Sequence, residues 1–401
     1  MDNVTGLIRP VLTSCCEVLA SLTLKTKLVT SVIFVFAVYY KTKVSKVPKL
    51  VCKEGKFKNF LIKNVPEMQE KFSPLWLFFG SVPQTVIAAV IRSKPEILWD
   101  EVEDVDLPDQ GQVHLNWLHM PKASTVEREH KPIVLFLPGL TGNSNSNYIC
   151  QFSQLIGDCD YRQVVFTYRG MGGKGLKTAK TYCACYTDDL QLVVQHITRR
   201  FPDAPIMAIG VSLGAMILSH YLSVAGDSSG LVAAMTVSVP WCPFASMKTL
   251  STPINRMLFN RRLAKALISM VEEHSHLFEK LVNLDHVRKS DTIHEFDESF
   301  TAKVFGFDSL DHYYSSAGLA DKFQRIRIPL LALNSADDPF APGHSIPVDR
   351  IGKSENVALL LTERGGHVAF VDTYFAPTYL ERVFRQYVTS VFDTPMPSTS
   401  M

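Results

Sequence analysis

Residues 205–224 read PIMAIGVSLGAMILSHYLSV. Pro205 to Val211 is a short apolar run of strand length, and Leu213 to Val224 is an apolar stretch of helix length. Between them stands Gly210-Val211-Ser212-Leu213-Gly214. GxSxG alone is common, and a glycine-flanked serine in an ordinary turn is the plainer alternative. Closing a strand and opening a helix, however, it has the context that a nucleophile elbow requires. A serine there must adopt unusual backbone angles, and glycines two residues away on each side let neighbouring backbone pass without Cβ clashes. The helix N-terminus adds a positive field that favours a developing oxyanion. The pattern therefore predicts Ser212 as a nucleophile.

Outward from this point, strands and helices alternate. Ile133–Leu137 is a wholly apolar run ending at Pro138-Gly139, and Tyr148–Ile156 has helix periodicity. Gln163–Tyr168 is β-rich, Tyr186–Thr198 places Leu190, Val193, Val194 and Ile197 on one helix face, and Leu231–Val239 reads as a strand. Such alternation means βαβ units, a mostly parallel sheet and helices on both faces: an α/β fold. The rhythm breaks from Pro240 to Arg327, which is helical in period around 258–281, and resumes with strands at Ile328–Leu333 and Val357–Leu361 and a closing helix at Tyr374–Phe392. The break predicts a lid at about 240–327 inserted between two sheet strands. Upstream, Pro108-Asp-Gln-Gly111 marks a β-hairpin whose second strand is Val113–Leu118. The expected organisation is an N-terminal segment 1–60, an extension with the hairpin at 61–130, a catalytic domain at 131–392 and a tail at 393–401.

A serine hydroxyl needs a base to take its proton, and in a fold of this kind the order runs serine, acid, histidine. After the strand ending near Asn334 come Asp337 and Asp338. Asp338 stands four residues before Pro342, the usual spacing of the turn after this strand, so it is the predicted acid; Asp337 is the competing candidate, read first as a turn or capping residue. Beyond the last strand, Gly365-Gly366-His367 forms a tight loop able to project an imidazole over the sheet edge. His367 is the predicted base; His344 follows the acid too closely. The backbone N–H groups of Leu213, next after the serine, and of Leu140, in Pro138-Gly-Leu-Thr-Gly142, are the predicted oxyanion donors.

Composition narrows the function further. The 41 basic and 39 acidic side chains leave a formal charge of +2, against the basic excess that nucleic-acid binding requires. The eight cysteines form no CxxC pair, and the histidines of residues 240–327 form no ligand pattern, so no metal and no cofactor is expected. Mean hydropathy is +0.08, apolar enough to suggest contact with lipid. Leu28–Tyr40 (LVTSVIFVFAVYY) is uncharged; it spans roughly 20 Å as a helix at about 1.5 Å per residue, short of a ~30 Å bilayer core. Extended to about 18–40, with Lys25 and Lys27 snorkelling, it is expected to be a single transmembrane anchor. The lysines at 41, 43, 46, 49 and 53 place the C-terminal part in the cytosol by the positive-inside rule. Cys15 and Cys16 are candidates for palmitoylation. Phe72–Ile91 is a second apolar stretch, broken by Pro74, Gly80 and Pro83, which suits packing on the catalytic domain or an interfacial contact better than a second span.

With these residues assembled, the chain resembles the α/β-hydrolase superfamily. It is most similar to the membrane-anchored branch that contains lipid esterases and a phosphatidylcholine phospholipase. The resemblance runs from about Phe72 to Phe392. It rests on Pro74-Leu-Trp76 with Pro83-Gln-Thr85, Leu107-Pro-Asp-Gln-Gly111 with Leu115-Asn-Trp117, Leu137-Pro-Gly139-Leu-Thr-Gly142, Tyr168-Arg-Gly170, Gly210–Gly214, Ala336-Asp-Asp338-Pro and Gly365-Gly-His367. It implies a Ser212–Asp338–His367 triad, a membrane partner and a glycerophospholipid substrate. Three positions depart from the family pattern: Gln110 and Ala215, where glycine is usual or frequent, and Asn116, where aspartate is usual. Acyl transfer to a lipid acceptor would use the same acyl-enzyme, and a silent interaction module is the reading from outside enzymology. Oligomeric state is not legible in the sequence.

Overall fold

The structure is a computed structural model describing residues 23–92, 94–118, 130–374 and 377–394. Cys15, Cys16, residues 18–22 of the expected anchor and the tail from 395 lie outside the described residues. The chain divides into two compact units, one ending at Lys46 and the other beginning at Val47.

In the first unit, Thr23 caps the helix Leu24–Tyr39 by accepting the Thr26 N–H, and the helix passes into a π-turn at Tyr40–Val44. Its 16 residues extend ~24 Å at 1.5 Å per residue. Among the described residues, no helix is long and apolar enough to cross a membrane, and residues 18–22 of the expected span lie outside them. The apolar run is shorter than a bilayer core, and the turn that continues it carries Lys41 and Lys43.

The second unit is built on a nine-stranded sheet in the order β1-β9-β8-β7-β6-β4-β5-β3-β2. The strands are β1 Lys49–Val51, β2 Glu101–Asp106, β3 Gln112–Leu118, β4 Ile133–Leu137, β5 Arg162–Thr167, β6 Ile206–Val211, β7 Ala233–Val237, β8 Leu330–Ser335 and β9 Val357–Thr362. From β5 through β4, β6, β7 and β8 to β9 the pairing is parallel. The β2–β3 hairpin joins β5 antiparallel, and β1 closes the other edge antiparallel to β9. Every residue of β4 to β8 is buried, as a sheet covered on both faces requires.

Alternation along β4 divides the core between those faces. Ile133, Leu135 and Leu137 pack with Leu190, Val193 and Ile197 of the helix Asp188–Arg200 and with Met216, Ile217 and Tyr221 of the helix Leu213–Ala225. Val134 and Phe136 pack on the opposite face with Phe152 of the helix Asn147–Leu155 and Phe384 of the helix Tyr379–Asp393. Phe152 and Phe384 stack there at 4.3 Å. Between β7 and β8 the chain makes a helical insertion, including Pro243–Leu250, Arg261–Glu273 and Leu310–Ala317. It has its own apolar cluster around Val271, Phe278, Phe296 and Phe300.

Candidate active site

β6 runs straight into the helix Leu213–Ala225, and Ser212 takes the turn between them with φ 54° and ψ −115°. These are angles a side-chain-bearing residue adopts only under constraint. The constraint is visible. The Ser212 N–H donates to the Val237 carbonyl at 2.9 Å, tying the turn to β7. A Cβ on Gly214 would lie 2.2 Å from the Leu137 carbonyl oxygen, so only glycine lets the first helical turn press against the end of β4.

Beyond β8, Asp338 is buried, and its Oδ1 accepts the N–H groups of Phe340 (2.7 Å) and Ala341 (3.1 Å). His367 Nδ1 donates to Asp338 Oδ2 at 2.8 Å, and His367 Nε2 lies 2.9 Å from Ser212 Oγ. Three residues far apart in sequence are thus joined in one relay. Asp337 faces elsewhere. Its Oδ1 accepts the Gly366 N–H (3.0 Å) and the Ser335 hydroxyl (3.1 Å), which shapes the histidine loop. Burial raises its carboxyl above the ordinary range, against the pull of the Gly366 N–H. His344 sits in the turn Gly343–Ser345 and is not part of the cavity wall beside Ser212.

The histidine loop is held from the other side by the helix Ser81–Ile91, the second apolar stretch of the sequence, packed on the catalytic unit. Pro83 falls within its first turn, where a missing N–H costs little. Gly366 has φ 61°, and a Cβ there would stand 2.7 Å from both the Ser81 carbonyl oxygen and Thr85 Oγ1. The His367 N–H donates to Thr85 Oγ1 at 2.9 Å. Gln84 bonds the backbone of Val371 in both directions, at 3.0 and 2.8 Å. The Phe340 ring stacks on the imidazole at 4.2 Å.

The loop after β4 is pinned by two phenols. Tyr148 accepts the Gly139 N–H at 2.9 Å and Tyr182 accepts the Thr141 N–H at 3.2 Å. The Leu140 N–H lies between these two bonded amides, and neither it nor the Leu213 N–H has an acceptor among the described residues. Both leucines border the same cavity as Ser212 and His367, so two unengaged donors stand beside the serine–histidine pair. The cavity holds about 490 Å³, and its walls are mainly apolar, with Met216, Leu250, Leu267, Met270, Ile293 and Phe296 among them. Asp297 is an acid among them. It is buried in that wall, accepts the Tyr314 hydroxyl at 3.1 Å, and burial pushes its carboxyl up to about 7. Such a site can carry a nucleophilic attack on a carbonyl carbon whose apolar substituent fills the cavity.

The residues that position this site escaped the reading of the sequence as functional groups: Thr85, Tyr148, Tyr182, Phe340 and Ser238, whose Oγ accepts the Val368 N–H at 2.9 Å. Thr85 belongs to a motif of the family resemblance, which is the one signal that pointed to it. The others act on backbone brought near by the fold, and no local pattern marks them.

Residues 128–373 match the family model described as Hydrolase_4, serine aminopeptidase S33. The protein named Phospholipase ABHD3 of Homo sapiens is 39% identical over 362 residues, 89% of this chain and 88% of that protein. Its Bos taurus namesake is 39% identical over 374 residues, 91% of this chain and 90% of that protein. Protein abhd-3.2 of Caenorhabditis elegans is 35% identical over 341 residues, 84% and 90% of the two chains.

Proposed function

The chain belongs to the α/β-hydrolase family of phospholipases and esterases and hydrolyses lipid esters; from that premise we propose that it is a membrane-associated serine phospholipase acting on glycerophospholipids such as phosphatidylcholine. Ser212 Oγ attacks the ester carbonyl carbon as His367 Nε2 takes its proton, and Asp338 holds the imidazole in the donating orientation. The N–H groups of Leu140 and Leu213 receive the oxyanion. Collapse of the tetrahedral intermediate expels the lysolipid alcohol, which takes the proton back from His367. Water, deprotonated by the same histidine, then attacks the acyl-Ser212 ester and releases the fatty acid.

The observation that carries this reading is the 2.9 and 2.8 Å relay from Ser212 through His367 to Asp338 at the wall of an apolar cavity. About 490 Å³ is within the ~300–1,000 Å³ usual for small-molecule sites, and apolar walls suit an acyl chain. The phospholipase names of the relatives support the substrate class. The helical insertion contributes much of the wall and acts as the lid. Membrane association is supported by the N-terminal helix, in which Leu28, Val32, Ile33, Phe34 and Val35 are all exposed. Water disfavours that much open apolar surface.

The test is labelling of the membrane fraction with a fluorophosphonate probe, wild type against Ser212→Ala, followed by product analysis on phosphatidylcholine with and without added lysolipid. The expected result is labelling abolished by the substitution and release of free fatty acid. Labelling that survives the substitution assigns the nucleophile elsewhere. Acyl appearing on the lysolipid instead of as free acid replaces hydrolysis by acyl transfer.

A further inference from the structure

The rim of the catalytic cavity is unlike its walls. Two elements border it, the helix Ser81–Ile91 and the start of the insertion after β7, and both turn apolar side chains outward. On the helix, Thr85, Ala88 and Ala89 line the cavity, while Val86 (40%) and Val90 (73%), one turn apart on the adjoining face, are exposed, as is Leu77 just upstream. In the insertion the chain follows the cavity wall at Met247 and Leu250, swings outward through Ile254 (59% exposed) and Met257 (61%), and returns to the wall at Leu263. Contacts through the catalytic histidine join the two elements. The His367 N–H bonds Thr85 on one side; on the other, the imidazole stacks on Phe340, which packs at 5.4 Å against Phe259. The exposed apolar residues thus lie on two elements that both connect to His367.

Charge at the rim selects the occupant. Arg256 and Arg261 share the single carboxylate of Asp291, so the three together keep one net positive charge. Lys248, Arg262 and Lys265 are exposed on the same insertion and form no ion pair among the described residues. Apolar side chains that enter an acyl boundary, with cations beside them at the level of phosphate, match a phospholipid surface. A protein partner would need acids placed opposite each cation.

We infer that this rim seats the mouth of the catalytic cavity on the bilayer, with Val86, Val90, Ile254 and Met257 entering the interface and Lys248, Arg262 and Lys265 meeting lipid phosphates. The inference rests on the lipid-hydrolase reading, and it adds a membrane contact separate from the N-terminal helix. An acyl ester can then pass from lipid to Ser212 without crossing water. The N-terminal helix alone would keep the protein near the membrane without aiming the cavity at it.

The experiment uses the full chain in liposomes of phosphatidylcholine and phosphatidylserine. Met257→Trp and Val224→Trp place one reporter at the rim and one at an exposed apolar position on the helix Leu213–Ala225, outside the cavity wall. Lipids brominated along the acyl chain quench the tryptophan that enters the interface. Each variant is read against the quenching of wild type. Added quenching with Met257→Trp and little with Val224→Trp is expected; equal quenching, or none at the rim, overturns the inference. Quenching needs no turnover, so it reads the docking even if the phospholipid assignment fails. A second variant, Ile254→Glu with Met257→Glu, is expected to lower the ratio of vesicle phospholipid hydrolysis to soluble short-chain ester hydrolysis by roughly tenfold or more, since two charges must leave the interface. An unchanged ratio also overturns the inference.

Discussion

Asp297 is a carboxyl buried in the cavity wall with no ion-pair partner among the described residues, and that arrangement must make folding pH-dependent. Burial is the main cause of its displacement, opposed by hydrogen bonds from Thr301 and Tyr314, and it lifts the group from 3.8 to about 7. Because the folded pKa lies above the unfolded one, the native state holds its proton more tightly. Stability is fully present below about pH 4, declines as pH rises towards 7, and is level beyond. A shift of about 3 units at 1.36 kcal/mol per unit makes the total loss about 4 kcal/mol. Asp297→Asn keeps an acceptor for the Tyr314 hydroxyl but has no charge to bury. The variant should therefore gain on wild type by about 1.5–2 kcal/mol at about pH 5 and by about 4 kcal/mol at about pH 8. Urea unfolding of both proteins in detergent across this range reads the difference directly. A gap that is constant with pH, or that narrows as pH rises, refutes the reasoning, since it would mean that the carboxylate is accommodated in its charged form.

Asp338→Asn should lower turnover by about 10⁴-fold, as loss of the orienting carboxylate does in such relays, while Asp337→Asn, which retains an oxygen for the Gly366 N–H, should cost no more than about tenfold. Steady-state hydrolysis of a soluble ester separates the two. Gly214→Ala should abolish fluorophosphonate labelling, because the new Cβ meets the Leu137 carbonyl oxygen at 2.2 Å and neither backbone can yield. Gln110→Gly should raise thermal stability by about 0.5–1 kcal/mol. Gln110 has φ 65°, and glycine removes its steric cost while giving back part of the gain as chain entropy in the unfolded state.

That last position shows how the sequence carried information in its departures. Glycine is usual in the family where Gln110 stands, and the structure supplies the reason in the left-handed φ of the hairpin turn. The parallel strands, the serine turn and the serine–acid–histidine order were legible because each is a local pattern: an apolar run, a glycine pair, a turn after a strand. Edge strand β1 was not, since Lys49–Val51 is specified by its partner Leu359–Leu361 rather than by its own three residues. The closing helix was expected from Tyr374 but begins at Tyr379. Pro377 and a capping box of Thr378 with Glu381 set its start, a signal present in the sequence and outweighed there by apolar periodicity. The N-terminal run is shorter than a bilayer core within the described residues, where lysines follow it, and residues 18–22 of its expected extension lie outside them.

The backbone strain shows why the proposed Ser212–Asp338–His367 set is legible in sequence while the geometry that joins it is not. Among the described residues, Thr141, Ser212, Ser238 and Val368 all have positive φ without being glycine, and each borders the relay or carries a bond that supports it. Such conformations cost about 1–3 kcal/mol each and persist only where surroundings over-determine them. The surroundings here are non-local. Ser212 is tied to Val237, Thr141 to Tyr182, and Val368 to Ser238. None of these bonds has a local motif, because its partners meet only after the sheet has formed. Chemistry is carried by residue type and order, which a linear pattern records. Placement within hydrogen-bond reach is carried by tyrosines, a threonine and a serine whose types are common everywhere. On the proposed mechanism, substituting Ser212, Asp338 or His367 removes the reaction. Their supports, Tyr148, Tyr182 and Thr85 above all, decide whether those three residues form one site.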